Sequence, residues 1–247
     1  MLSLSDVCVS FGETSVLNGI SFSVQSNETV GIIGPNGSGK TTLFNCISGF
    51  TPSSAGTITF RSEAIQSLAP HERARKGLGR VFQNFGIFRE MTLIENILLA
   101  LESHRDAPLT IFPWSSKTKA LRHQAMELLK EINLDAKAHA KASSLSGGQM
   151  RLLEILRTLA LGSDLFLLDE PTAGVSPRMK EDVAAAIKKL QSMGKTVLII
   201  EHDINFIQKF CSRIIVLNEG KVVLDDTPEN VRSNEMLQEI YFGRGAA

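Results

Sequence analysis

The sequence predicts an α/β fold: a mostly parallel sheet, an antiparallel β portion at the N-terminal end and an inserted α-helical lobe. Three observations predict it. Strand and helix patterns alternate from residue 164 onward, which implies a parallel sheet with ligand sites at the strand C-termini. A glycine-rich loop, "GPNGSGKTT", stands between a short apolar strand and a helical run. Residues 92–161 show little strand character and interrupt the rhythm.

Taken in order, "LSLSDVCV" alternates, and "GISFSV" sets Ile20, Phe22 and Val24 on one face, so residues 1–30 read as paired strands. "ETVGIIG" (28–34) is a short buried strand leading through the glycine loop into the helical "LFNCISGF". "GTITF" (56–60) and "LGRVFQ" near residue 80 are further strand candidates. "TLIENILLAL" is helical, and "KALRHQAMELLKEI" places Leu121, Ala125, Leu128, Leu129 and Ile132 on one stripe. A third helix opens at "SLSGGQMRLLEIL" (144–156), where Ser146 and Gln149 read as a capping box around Gly147 and Gly148. Glycine inside a helix costs about 1 kcal/mol relative to alanine, so a bare N-terminus of this kind marks a place for an anion. The α/β rhythm resumes with "DLFLLDE", the helix "PRMKEDVAAAIKKLQSMG", the strand "TVLIIEH", a helix from Asp203 and "RIIVLNEGKVVLD". The organisation expected is one domain over 1–247, with an α/β core of 1–84 and 162–247 and a helical lobe of 85–161.

Composition narrows the partners. A chain of 247 residues, 43% hydrophobic, can bury one large core. Lysine plus arginine equals aspartate plus glutamate at 26 each, so nothing suggests nucleic acid and none is expected. Cys8, Cys46 and Cys211 are far apart and odd in number, which reads as three reduced thiols rather than a disulfide framework or zinc site. The N-terminus lacks the pattern of a secretory signal. No apolar run reaches the length of about eighteen residues that a membrane helix needs; "TVLIIEHDINFI" is broken by Glu201, His202 and Asp203. The chain reads as soluble, with any membrane role arriving through a partner.

The chemistry concentrates at strand ends. "GPNGSGKT" fits G-x-x-x-x-G-K-S/T with Gly34, Gly39, Lys40 and Thr41 in register, and the strand-to-helix context makes the pattern a phosphate site. Gly37 and Gly39 let the backbone curl around phosphates, and Asn36, Ser38 and Thr42 belong to the same nucleotide-binding run. Lys40 would neutralise β/γ-phosphate charge, and Thr41 would offer its hydroxyl to Mg²⁺. Asp169 ends the apolar "LFLLD", where its carboxylate can reach the metal, and Glu170 follows in the place of a general base. Desolvating two adjacent carboxylates without such a role would be costly. His202 follows another buried strand and should arrive at the same edge, for the γ-phosphate or as a structural histidine. Gln83 could bind metal or water, although a loop glutamine alone would only be solvated. Phe11 could stack on a base or be a half-buried core residue.

These residues in this order resemble the ATP-binding subunits of ABC transporters, over essentially the whole chain. "GPNGSGKTT" matches Walker A, Gln83 the Q-loop, "LSGGQ" (145–149) the signature, "LFLLDE" Walker B, "AGVSP" (173–177) the D-loop and His202 the switch histidine. Phe11 lies where that family has its adenine-stacking aromatic. The resemblance implies the fold of an ABC nucleotide-binding domain, with ATP and Mg²⁺ as cofactors and Lys40, Gln83, Glu170 and His202 as the catalytic set. Thr41, Gln83 and Asp169 would complete the metal shell. It implies a second ATPase subunit packed head to tail, so that Ser146, Gly147 and Gly148, with Gln149 nearby, face the partner's γ-phosphate. A helix N-terminus near a phosphate contributes about 0.3–2 kcal/mol, enough for a clamp that senses ATP.

"FREMTLIENILLA" (88–100), "GQMRLLEI", "AGVSP", "IIEHD", the loop 103–119 and "EIYFG" resemble the ATP-binding subunits of branched-chain amino acid importers and their urea or amide relatives. That likeness implies ATP-driven import of a small solute through a separate permease, whose cytoplasmic helix would dock beside Gln83 and Phe85–Glu90. It also implies an indirect link to a substrate-binding protein, and a peripheral place on the cytoplasmic face of the inner membrane. Lipopolysaccharide export, or a soluble scaffold such as those of iron–sulfur assembly, are the alternatives. Ser176 stands where the superfamily usually has aspartate, which would weaken or skew communication between two ATP sites. Ile111, Phe112, Pro113 and Trp114 would pack on their own lobe or touch a partner.

Overall fold

The computed structural model describes residues 1–82, 86–103 and 116–234, the side chains of 116–118 excepted. Gln83, Phe85, the cluster around Trp114 and the terminal "EIYFG" lie outside the described residues. β1 (Leu2–Phe11) and β2 (Thr14–Val24) pair antiparallel from Leu2 opposite Val24 to Phe11 opposite Thr14. Their alternation drives the pairing, because Leu2, Leu4, Val7, Val9, Leu17 and Ile20 all turn inward. β3 (Thr29–Ile33) is buried at all five positions and runs into the glycine loop and α1 (Lys40–Ser48). β4 (Ala55–Phe60) and the short β5 (Glu63–Ala64) then complete a four-stranded antiparallel sheet, β2-β1-β4-β5.

α2 (Pro70–Arg75) precedes β6 (Leu78–Val81), and three helices follow: α3 (Leu93–Ser103), α4 (Ser116–Glu131) and α5 (Gly147–Ala160). The chain returns to the sheet with β7 (Leu165–Asp169), α6 (Pro177–Ser192), β8 (Thr196–Ile200), α7 (Ile204–Ile207), β9 (Arg213–Asn218), β10 (Lys221–Asp226) and α8 (Pro228–Ser233). The six-stranded sheet has the order β10-β9-β3-β8-β7-β6. All neighbours are parallel except the terminal β10–β9 hairpin. β3, β7 and β8 are covered on both faces, which is why they read as continuous apolar runs.

Three apolar clusters hold these layers. One lies between the two sheets and takes in Leu43, Phe44 and Ile47 of α1; another packs Phe166, Leu168, Val197 and Ile199 beneath Val183, Ile187 and Leu190 of α6. The third is internal to the helices, where Ile97 and Leu101 of α3 meet Ala125 and Leu129 of α4 and Leu153 and Leu156 of α5. α5 serves two clusters, since Leu152 and Ile155 face the sheet while Leu153 and Leu156 face the other helices.

The sequence reading missed β5, α2 and α8, and its helix from Asp203 is only four residues long. None of these is long enough to show a period. α2 is fixed by one buried side chain: Arg73 donates to the Cys46 and Ile47 carbonyls of α1 at 2.7 and 2.8 Å, and to those of Leu68 and Gln66 at 3.0 Å. A cation at the C-terminal end of α1 also meets its unsatisfied carbonyls and negative dipole end. Among the described residues no helix is long and apolar enough to cross a membrane.

Candidate active site

The parallel register brings three strand C-termini to one edge. Ile32 of β3 pairs with Ile200 of β8, and Ile200 pairs with Asp169 of β7. Gly34 and Glu170 come just beyond two of those ends and His202 second after the third, so sequence positions more than 160 apart meet at one rim. This is where parallel sheets carry their ligand sites.

The glycine loop is folded onto its own lysine. Lys40 Nζ donates to the carbonyls of Gly34 and Pro35 at 2.8 and 2.9 Å, and the residue is buried. Burial pushes the Lys40 ammonium below its ordinary pKa, against the opposing pull of Glu170 and Asp169. Gly39 adopts φ +101°, and a Cβ there would lie 2.7 Å from Leu17 and 3.1 Å from the Val16 carbonyl, so only glycine fits. Asn36, Gly37 and Thr41 are exposed, Ser38 and Gly39 are buried and Thr42 is half-buried. Ser38 Oγ is buried with no hydrogen-bond partner, an orphaned donor inside a loop of this kind. A cavity of about 650 Å³, lined by Thr14, Ser15, Val16, Asn18, Gly37 and Glu219 to Lys221, opens beside the loop. Phe11, the register partner of Thr14, is 54% exposed, which overturns the reading of it as a half-buried core residue.

Asp169 and Glu170 have different surroundings. Asp169 is buried, and its Oδ2 accepts from Arg80 Nη2 at 2.9 Å. Burial pushes its carboxyl up and the Arg80 pairing opposes that shift. Glu170 has φ +46°, and its Oε1 lies 2.8 Å from His202 Nε2. The proposed base and the proposed switch histidine are therefore in direct contact.

Glu201 is a residue the sequence reading did not use. It is buried and accepts from Thr172 N at 2.9 Å, Thr172 Oγ1 at 2.6 Å and His202 N at 3.3 Å. It ties the turn after β7 to the end of β8, fixing the two loops that carry Glu170 and His202. Its signal was available, because a carboxylate adjoining a fully apolar strand must find buried donors.

Away from the sheet, Ser146 caps α5 as expected. Gln149 N donates to Ser146 Oγ and Ser146 N to Gln149 Oε1, both at 3.3 Å. Ser146 and Gly147 are exposed and Gln149 is half-buried. Gly148 is buried: a Cβ on it would stand 2.8 Å from Met179 Cβ. One of the two glycines thus has a packing reason inside its own chain. Ser176 caps α6, accepting from Met179 N at 3.4 Å, a task serine and aspartate perform about equally.

Three further side chains of α5 hold Phe82 and Gly86, which lie between β6 and α3. Glu154 Oε1 accepts from Phe82 N at 3.1 Å and Gly86 N at 3.0 Å, while Arg151 and Arg157 donate to the Phe82 and Gly86 carbonyls. Arg151 also pairs with Glu154 at 2.9 Å. Charges three residues apart on a helix stripe that the pattern buries were the available signal. A cavity of about 860 Å³ lies alongside, lined in part by Phe50, His71, Arg80, Phe82, Gly86 and Arg157.

Comparison with known proteins gives the family. The family model for ABC transporters matches residues 17–173. The chain is 40% identical to the high-affinity branched-chain amino acid transport ATP-binding protein BraF of Pseudomonas aeruginosa, over 98% of both chains. It is 36% identical to the corresponding protein LivG of Salmonella typhimurium, again over 98% of both. It is 35% identical to the lipopolysaccharide export system ATP-binding protein LptB of Haemophilus influenzae, over 98% of this chain and 97% of that one. The crystal structure of an ATP-binding cassette in its ADP conformation superposes with a TM-score of 0.87, at 33% identity and 99% coverage of both chains. A dimeric cassette bound to ADP and phosphate superposes at 0.79, with 30% identity over 92% of this chain and 99% of that one. The fold, the strand-end site and a family match over residues 17–173 place this chain in the ABC transporter family, as one of its ATP-binding cassettes.

Proposed function

We propose that the chain is the ATP-hydrolysing subunit of an importer for branched-chain amino acids or a related amino acid, urea or amide. The single observation that carries this reading is the 40% identity to BraF across 98% of both chains. The strand-end geometry supports the ATPase half. The loop amides, the unpartnered Ser38 hydroxyl and Lys40 offer phosphate oxygens what they need. Lys40 would exchange two backbone carbonyls for phosphate, a stronger charge-assisted partner. The donor set also suits Mg²⁺, which takes a hydroxyl, one or two carboxylates and phosphate oxygens. Thr41 and Asp169 would hold it, with Gln83 completing the shell. The metal, when bound, neutralises phosphate charge.

In this reading Phe11 stacks on the base, and Asn36, Gly37, Ser38, Gly39 and Thr42 enclose the phosphates. Glu170 takes a proton from the attacking water as oxygen bonds to the γ-phosphorus and the bond to the ADP oxygen breaks. His202, held by Glu170, contacts the γ-phosphate. Positioning and charge stabilisation provide most of the acceleration, as in phosphoryl transfer generally. Ser146, Gly147, Gly148 and Gln149 of a second ATPase close the site. In this reading the 860 Å³ cavity beside Phe82 and Gly86 receives a cytoplasmic helix of a separate permease, and the chain sits peripherally on the cytoplasmic face of the inner membrane. A substrate-binding protein joins through the permease.

Affinity purification of the tagged chain from solubilised native membranes, followed by mass spectrometry, tests the assignment. Two integral membrane proteins and a second ATPase are expected. The 35% identity to LptB favours one other outcome, lipopolysaccharide-export partners, which would replace the importer reading. Recovery of soluble partners alone would replace it with a scaffold role.

A further inference from the structure

We infer that Arg80 is a positioning residue that sets Asp169 and Thr41 in one frame for the metal; this rests on the reading of those two residues as magnesium ligands. Arg80 lies in β6, hydrogen-bonded in register to β7, whose last residue is Asp169. Its guanidinium faces two elements at once. Nη2 donates to Asp169 Oδ2 at 2.9 Å, while Nη1 donates to Asn45 Oδ1 at 2.7 Å and Ser48 Oγ at 2.9 Å. Asn45 and Ser48 belong to α1, and Thr41 stands four residues before Asn45 on the same helix face. One side chain therefore spans the helix that carries one proposed ligand and the strand that carries the other.

The surroundings leave Arg80 little freedom. Its side chain and that of Asp169 are each 6% exposed. The Phe82 ring centroid lies 4.8 Å from its guanidinium carbon, and those of Phe44 and Phe50 lie at 5.9 Å. A rigid planar fork can serve three acceptors in fixed directions, which a single ammonium cannot. Arg80 also lines the 860 Å³ cavity with Phe50 and Phe82. The cavity wall therefore includes two of the three rings that pack on the arginine holding Asp169.

The test measures binding of a fluorescent ATP analogue to the full chain, first in EDTA and then across a Mg²⁺ titration. Arg80→Lys and Arg80→Gln are expected to bind nucleotide within about twofold of the parent in EDTA, yet to need roughly tenfold more Mg²⁺ or beyond, the range for loss of an outer-shell ligand contact. Asn45→Ala leaves the Arg80 charge in place and loosens only its anchorage; it is expected to shift the Mg²⁺ requirement the same way by about threefold, and it keeps the test alive should the Arg80 variants not fold. A purely structural ion pair would lower thermal stability without changing the Mg²⁺ requirement. Asp169→Asn is the reference. If it raises the Mg²⁺ requirement while folded Arg80 and Asn45 variants do not, the inference about Arg80 is overturned. If Asp169→Asn leaves the Mg²⁺ requirement unchanged, the ligand reading of Asp169 falls, and this inference with it.

Discussion

Glu170 occupies a backbone conformation that non-glycine residues rarely adopt, φ +46°. It is held there from both sides, by its amide on the Ile200 carbonyl at 3.0 Å and by its carbonyl on the Ala173 amide at 3.0 Å. Such positions persist where surrounding structure over-determines them. Here the result is a carboxylate aimed at His202 instead of back into the sheet. Glu170→Gln keeps the shape and loses the basic oxygen. It is expected to retain nucleotide binding and to lower steady-state ATP hydrolysis by about 10²-fold or more, read by phosphate release. A variant hydrolysing at the parent rate would remove Glu170 as the base.

Between elements, single side chains do the joining. Asp164, just before β7, accepts from Lys195, just before β8, at 2.7 Å and pairs with Arg61 in the β4–β5 turn, so it links the two sheets. Partial burial alone would raise its carboxyl, but Lys195 and Arg61 hold it below the ordinary value of 3.8. A depressed folded-state pKa contributes stability above the unfolded value and loses it as pH falls through the folded one. Asp164→Asn is expected to cost about 0.5–1 kcal/mol at pH 7, discounted for partial exposure. The gap from the parent should stay constant down to pH 4 and close below it, as followed by urea unfolding.

The contact between α5 and α6 rests on Gly148, because Met179 fills the space a side chain would take. Gly148→Ala should destabilise the chain by about 1–3 kcal/mol through overpacking. Met179→Ala in the same chain should restore part of that loss, seen as a recovered thermal midpoint. Glu154 works at the same scale: by accepting from both Phe82 N and Gly86 N it ties those two residues to α5.

For the molecule as a whole, the two proposed anion sites lie on different elements: the loop around Lys40 follows β3 at the sheet edge, and Ser146 caps α5. Ser146 and Gly147 are exposed, as are Asn36 and Thr41, which is the arrangement a head-to-tail pair requires. Glu170→Gln with Mg²⁺ and ATP is expected to run as a dimer of about twice 27.0 kDa by light scattering, and as a 27.0 kDa monomer without nucleotide. Adding Ser146→Arg should abolish the dimer. A monomer in both conditions would mean that closure requires a different ATPase chain.

The sequence by itself determined the local half of this protein. Continuous apolar runs marked β3, β7 and β8 because strands covered on both faces need no polar side. The glycine loop, the Asp169–Glu170 pair and the Ser146–Gln149 box were legible because each is built within a few residues. Register then carried Gly34, Glu170 and His202 to one rim, as parallel strands must. What only the tertiary structure decided was which distant group meets which. Nothing near Gly148 names Met179, nothing near Asp169 names Arg80, and nothing near Glu154 names the Phe82 and Gly86 amides. Phe11 stands exposed for the same kind of reason, since periodicity assigns a residue to a face and packing alone decides whether that face is covered. Short hydrogen bonds and close contacts depend on angstrom-scale placement of elements far apart in the chain, and a local pattern carries no such distances.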